Sequence, residues 1–191
     1  MFNKKKNIDL AILVLRWYIV FYMISYGFSK LTLSQFGVHD NSILDKPIKS
    51  IDSFYVAWHL YGRSLFFNIS TGSMEIIGGI LLIFNRTTII GSLLVLTILT
   101  QVLIIDISFT VETIGPQLSL RVGGMIIATL LILFYYRHKI IIAFQTLTRG
   151  VSTIFKYKWW IYPILLVAGF LMDFIMAIII WPIKAIIEWF S

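Results

Sequence analysis

Glu75 stands near the middle of an apolar stretch from Leu65 to Phe84, and Arg16 stands inside another from Leu10 to Tyr26. A charge at membrane depth is costly unless it is paired, which makes such residues the first candidates for a functional site. A carboxylate held there can bind or relay a proton, and a cation beside it can polarise a carbonyl. At about 1.5 Å rise per residue, Arg16 lies about 12 Å above Ile8 and Glu75 about 15 Å above Asn85, counting from the inner helix ends. The spacing predicts that the two meet at matching depth on consecutive antiparallel helices. Gly72, Glu75 and Gly79 fall at i, i+3 and i+7, so the acid shares its face with two residues that let a neighbouring helix come close. Two readings of the pair stay open: an ion pair that fixes helix register, or a ligand or proton site.

A second polar layer is expected near the outer surface, where Lys30, Asp106 and Arg121 lie at similar depth, with Tyr26, Gln101 and Glu112 near them. Lys30 and Glu112, at helix ends, read as side chains that snorkel to the interface. Asp106 and Arg121, flanked by apolar residues, read as turned inward. Asp173, in the middle of the last apolar run, has no partner at its depth on its own helix and is expected to meet another helix or another protein. His39, His59 and His138 all lie outside the apolar spans and none has a second histidine at helical spacing. With no cysteine in the chain, a haem or metal centre inside the bundle finds no protein ligands. No metal is therefore expected, and electron transfer would need a quinone or a partner's cofactor. No Ser-His-Asp order or glycine-rich phosphate loop stands out, and the Gly-Gly pairs read as close packing.

These residues must be positioned by membrane helices. The 191 residues are 59% hydrophobic and 13% charged, too little charge to cover a water-soluble globule. Spans of about 20 apolar residues fall at about Leu10 to Phe28, Phe66 to Phe84, Thr88 to Phe109, Leu118 to Tyr136 and Trp159 to Trp181. The first resembles a signal peptide behind Lys4, Lys5 and Lys6, but Arg16 interrupts it and no small-residue cleavage site follows, so it reads as an uncleaved span. The net charge of +7 is spread in short groups between spans, which argues for membrane orientation and against nucleic acid. Lys4, Lys5, Lys6, Arg86, Arg137, Lys139, Arg149, Lys156 and Lys158 collect on one side, predicting a cytoplasmic N-terminus in the inner membrane and an external C-terminus.

Between the fourth and fifth spans, Ile140, Phe144, Leu147, Val151 and Ile154 recur at steps of three and four. That pattern predicts an amphipathic helix, lying either in the inner interface or on the bundle, with Trp159 and Trp160 anchoring the last span. The outer loop, residues 31–62, is expected to form a cap containing a short helix from Ile51 to Tyr61 behind Asp52 and Ser53. The organisation is thus all-α: a four-helix transmembrane bundle over residues 1–136, an interfacial segment over 137–158 and an additional span over 159–191.

Tyr26-Gly27-Phe28-Ser29-Lys30-Leu31, closing the first span, is similar to the Gly-x-x-Lys ending of the first helix in DoxX-like proteins. The run from Glu75 through Gly78, Gly79, Leu81 and Leu82 to Arg86-Thr87 resembles their second helix and its Arg-Thr turn, and Arg16 sits where that family commonly has an arginine. The resemblance spans about Leu10 to Tyr136. It implies a four-helix bundle related to subunits associated with quinol oxidase or thiosulfate:quinone oxidoreductase activity. The long loop after Lys30 and the segments after Tyr136 depart from the pattern and suggest a docking partner. Two classes of function follow, since fold alone does not fix one. One is an accessory or structural subunit of a larger inner-membrane complex, organised by the Arg16 and Glu75 pair. The other is a quinone- or lipid-binding protein with its site between Arg16, Glu75, Gln101 and Arg121. Membrane lipid and other membrane subunits are the expected partners, and a quinone is the sole cofactor in view.

Overall fold

The computed structural model describes residues 4–36, 46–110, 112, 116–151 and 155–190, without the side chains of residues 173, 176, 177, 179, 181 and 183–190. All regular structure among the described residues is helical: α1 (Lys4–Leu31), a short 3-10 turn (Ile48–Ser50), α2 (Ser53–Arg63), α3 (Leu65–Ile83), α4 (Thr88–Phe109), α5 (Gln117–Tyr135), α6 (Arg137–Thr148) and α7 (Ile161–Phe190). Two compact units result, Met1–Thr146 and Leu147–Ser191.

In the first unit, α1 packs on α3, α3 on α4, α4 on α5 and α5 back on α1, which closes a four-helix ring. Its core is Ile12, Ile19, Val20 and Met23 of α1, Leu82 of α3, Val95 and Leu99 of α4, and Val122, Met125, Ala128 and Ile132 of α5. Large apolar residues also cover the outside, including Val14, Phe21, Ile77, Ile104 and Ile127. Apolar inside and apolar outside is the composition of a helix bundle solvated by lipid. α1, α3, α4 and α5 are each long and apolar enough to cross a membrane.

Close approach of α1 and α3 depends on two glycines. A Cβ on Gly27 would sit 2.6 Å from the Gly72 carbonyl oxygen, and one on Gly72 would sit 2.8 Å from the Gly27 oxygen. The backbones therefore touch there, as small-residue crossings in membranes do. The contact fixes the antiparallel register, with Gly27 opposite Gly72 and Val20 near Gly79.

α2 starts behind Asp52, whose side chain accepts a hydrogen bond from the Phe54 amide, and it runs to Arg63. The expected short helix in the outer loop is present, displaced by two residues. α6 covers the first part of the expected amphipathic segment and stops at Thr148, because Gly150 takes a left-handed conformation at φ 76°. Val151 thus falls beyond the helix, and Ile154 lies outside the described residues. In the second unit α7 is a 30-residue helix with Pro182 inside it. Its described side chains give an apolar stretch over Ile161–Met172.

Candidate functional site

Glu75 is buried in the middle of α3, but its partner is Lys30. The Lys30 ammonium donates to both carboxylate oxygens, 2.7 Å to Oε1 and 2.8 Å to Oε2, with the two side chains 7% and 3% exposed. This corrects two expectations at once: Glu75 does not meet Arg16, and Lys30 does not snorkel. From the Gly27 and Gly72 contact, Glu75 is level with about Ile24, so Arg16 lies about eight residues, or about 12 Å, further in.

Arg16 instead closes the C-terminal end of α3. Its Nε donates to the Leu82 oxygen at 3.0 Å, its Nη2 to the oxygens of Leu82 at 2.6 Å and Ile83 at 2.9 Å, and its Nη1 to Asn85 Oδ1 at 2.7 Å. The last carbonyls of a helix lack intrahelical donors and carry the negative end of the dipole, so a buried guanidinium there is fully accounted for as a cap. Thr87 adds a bond from its hydroxyl to the Leu81 oxygen at 2.6 Å.

Asp106 of α4 is 6% exposed, as its inward reading expected. Its carboxylate receives no hydrogen bond among the described residues, while its backbone oxygen accepts from the buried Thr110 hydroxyl at 2.7 Å. Lys30, Glu75 and Asp106 are therefore all buried toward the end of the bundle where α1 and α4 finish.

Above them lies an aromatic cap that the sequence reading missed. After α1 the chain reverses through Leu33 at φ 57°, with the amides of Ser34 and Gln35 donating to the Ser29 oxygen. The reversal brings Phe36 over the site, where it is buried, with its ring centroid 5.9 Å from Lys30 Nζ. Trp58 and Tyr61 of α2 and Phe67 of α3 pack around it, at centroid separations of 5.7, 5.8 and 6.2 Å. Asn68, fully buried, ties α2 to α3 by donating to the oxygens of Tyr61 at 3.0 Å and Ser64 at 2.9 Å. Its Oδ1, like His59 Nε2 and Gln35 Oε1, is buried without a hydrogen-bond partner among the described residues. Asn68 was detectable in principle, because it lies seven residues before Glu75 on the same helix face. Nothing in the sequence singled out Phe36.

The other expected site residues do not converge here. Arg121 is exposed rather than turned inward, and its Nη1 donates to the Tyr26 hydroxyl at 3.3 Å on the outside of the α1 and α5 pair. Gln101 is exposed on α4. Glu112 is exposed and lines, with Asp52, Ser53, Ile107, Ser108 and Phe109, a small cleft of about 200 Å³. His138 lies on α6, His39 lies outside the described residues, and so does the side chain of Asp173. Arg16, Glu75, Gln101 and Arg121 thus form no single site.

A bundle of four membrane-length helices, with buried charges between them, defines a polytopic integral membrane protein. The DoxX family model matches residues 11–113, more than half of the chain, and the protein belongs to the DoxX family. It is also similar to an uncharacterized protein, YwoB, of Bacillus subtilis strain 168, with 27% identity over 96 residues. That match covers 50% of this chain and 60% of the relative. No solved structure matches.

Proposed function

We propose that the protein binds the polar head of an apolar molecule, of quinone or lipid type, at Lys30, Glu75 and Asp106. The observation that carries this reading is the imbalance of buried charge: Glu75 takes two short bonds from Lys30, while Asp106 has no donor among the described residues. An ammonium has three N–H donors, so one remains for a ligand carbonyl. Asp106 is then the acceptor for a ligand hydroxyl, and Phe36 offers a ring against which a flat head group can stack. Support comes from Lys30, Glu75 and Asp106 all lying on helices within the segment that matches the family, α1, α3 and α4.

The experiment is binding of a short-chain quinol analogue, kept reduced so that its hydroxyl can donate to Asp106, to the full chain in detergent, followed by tryptophan quenching. Asp106→Asn is expected to weaken binding about tenfold or more while leaving the fold intact. Equal affinity in the wild type and this variant, or no binding by either, removes the proposal.

A second reading, an accessory subunit of an inner-membrane complex, is favoured by the separate C-terminal unit Leu147–Ser191 with its long apolar α7. In it α7 is a fifth span, α6 lies in the inner interface, the N-terminus is cytoplasmic, and Asp173 contacts the partner. Crosslinking in native membranes should join the full chain, but not a chain ending at Thr146, to larger proteins. An identical crosslinking pattern for the two chains defeats this reading.

A further inference from the structure

We propose that the outer half of the α1 and α5 surface binds an anionic phospholipid, whose phosphate is held by Arg121 and Tyr26 and whose acyl chain lies along Tyr22 and Tyr18. Arg121 is exposed, and its partners among the described residues are neutral: the Tyr26 hydroxyl at 3.3 Å and the Tyr22 ring, whose centroid is 5.6 Å from Cζ. A guanidinium carries five N–H donors in a planar fork that fits phosphate, so most of its donors remain for a ligand. Tyr26 accepts from Arg121, which leaves its own proton to donate to the same phosphate.

Depth fits a head group. Arg121 lies four residues inside the start of α5 and Tyr26 five residues inside the end of α1, about 6 and 7.5 Å from the outer helix ends. A cation at that level meets phospholipid phosphate, and a carboxylate of the protein has not taken the place among the described residues.

The surface below is shaped for a chain. Tyr18, Tyr22 and Tyr26 recur every four residues, with ring centroids 5.1 and 5.6 Å apart, forming an aromatic strip about 12 Å long that runs inward from Arg121. One turn from Arg121, Gly124 is exposed and a Cβ there would meet nothing within 4 Å, so no side chain of α5 stands in the way at that position. Lys30 and Glu75 are buried whereas Arg121 is exposed, so this site is independent of the binding reading above.

The test uses the full chain, delipidated in a nonionic detergent, with phosphatidylglycerol and phosphatidylcholine of identical acyl chains as probes, read by native mass spectrometry and thermal stability. The wild type should bind phosphatidylglycerol about tenfold more tightly than phosphatidylcholine, a difference of about 1.4 kcal/mol. Arg121→Gln should abolish the preference, and Tyr26→Phe and Arg121→Lys should each reduce it about threefold. Equal binding of both lipids by the wild type overturns the proposal without recourse to any variant. A preference that survives Arg121→Gln overturns it too, as does equal stabilisation by inorganic phosphate. Loss of a copurifying protein in Arg121→Gln with lipid binding unchanged assigns the surface to a protein contact instead.

Discussion

The pairing of Glu75 is best tested by two double-mutant cycles, one with Lys30 and one with Arg16. Removing the ammonium by Lys30→Met leaves Glu75 buried without its cation, and breaking a buried pair in this way costs about 3 to 5 kcal/mol. Glu75→Leu alone leaves the Lys30 ammonium buried without its carboxylate, again a loss of about 3 to 5 kcal/mol. In the double variant both charges are gone and the volume is kept, so much of the loss returns. The coupling between Lys30 and Glu75 should therefore reach about 2 kcal/mol or more, and high salt should change it little because the pair is shielded from solvent. Arg16→Met should also destabilise, by about 2 kcal/mol or more, through the carbonyls of Leu82 and Ile83 left without their charged donor. Its effect should add to that of Glu75→Leu within about 0.5 kcal/mol, because the two sites share no partner. Unfolding in mixed micelles, followed by helical circular dichroism, supplies all the free energies. A large coupling between Arg16 and Glu75, or none between Lys30 and Glu75, would refute the reasoning.

The remaining expectations follow from the same geometry. Gly27→Ala and Gly72→Ala should each cost about 1 to 3 kcal/mol, because each Cβ meets the opposite backbone oxygen, whereas Gly123→Ala, with open space around it, should gain up to about 1 kcal/mol in the same micelle titration. Phe36→Ala should uncover the ammonium below it, so that an amine-reactive label, read by peptide mass spectrometry, modifies Lys30 several-fold faster than in the wild type; an unchanged rate would mean that Phe36 is no cap. Asp106→Asn should leave stability within about 1 kcal/mol of the wild type, because it removes a buried charge that has no hydrogen-bond donor of its own among the described residues. A loss of several kcal/mol in that variant would make Asp106 part of the structural pair.

Much of the bundle was legible in the sequence because lipid solvation writes it in composition. The four spans of the first unit begin and end within a few residues of their expected limits, apart from the inner end of α1. That exception explains the error at the site. Counting depth from Ile8 and Asn85 assumed that the first two helices end flush on the inner side, but α1 has 28 residues against 19 in α3. The additional length of α1 lies at its N-terminal end, which moves Arg16 away from Glu75 and opposite the end of α3. The Gly72 face was recognised as a contact face, yet its partner, Gly27, sets the register and was noticed only as part of a motif. Arg121 was misread because a run of apolar neighbours marks depth in the membrane but does not say which way a side chain faces.

Side-chain direction could have chosen between Arg16 and Lys30 without coordinates. Every Cα–Cβ bond in an α-helix tilts toward that helix's N-terminus. α1 and α3 run antiparallel, so side chains of α1 lean toward the C-terminal end of α3 and those of α3 lean toward the C-terminal end of α1. Lys30, near the outer end of α1, and Glu75, deeper on α3, therefore lean toward one another and close a gap of several residues in nominal depth. Arg16 leans away from Glu75 and toward the inner end of α3, where four terminal carbonyls need donors. Once Arg16 is assigned to that cap, it no longer neutralises the outer charges. Lys30 is then the cation that faces Glu75, and Asp106 is the buried carboxylate left without a hydrogen-bond donor among the described residues.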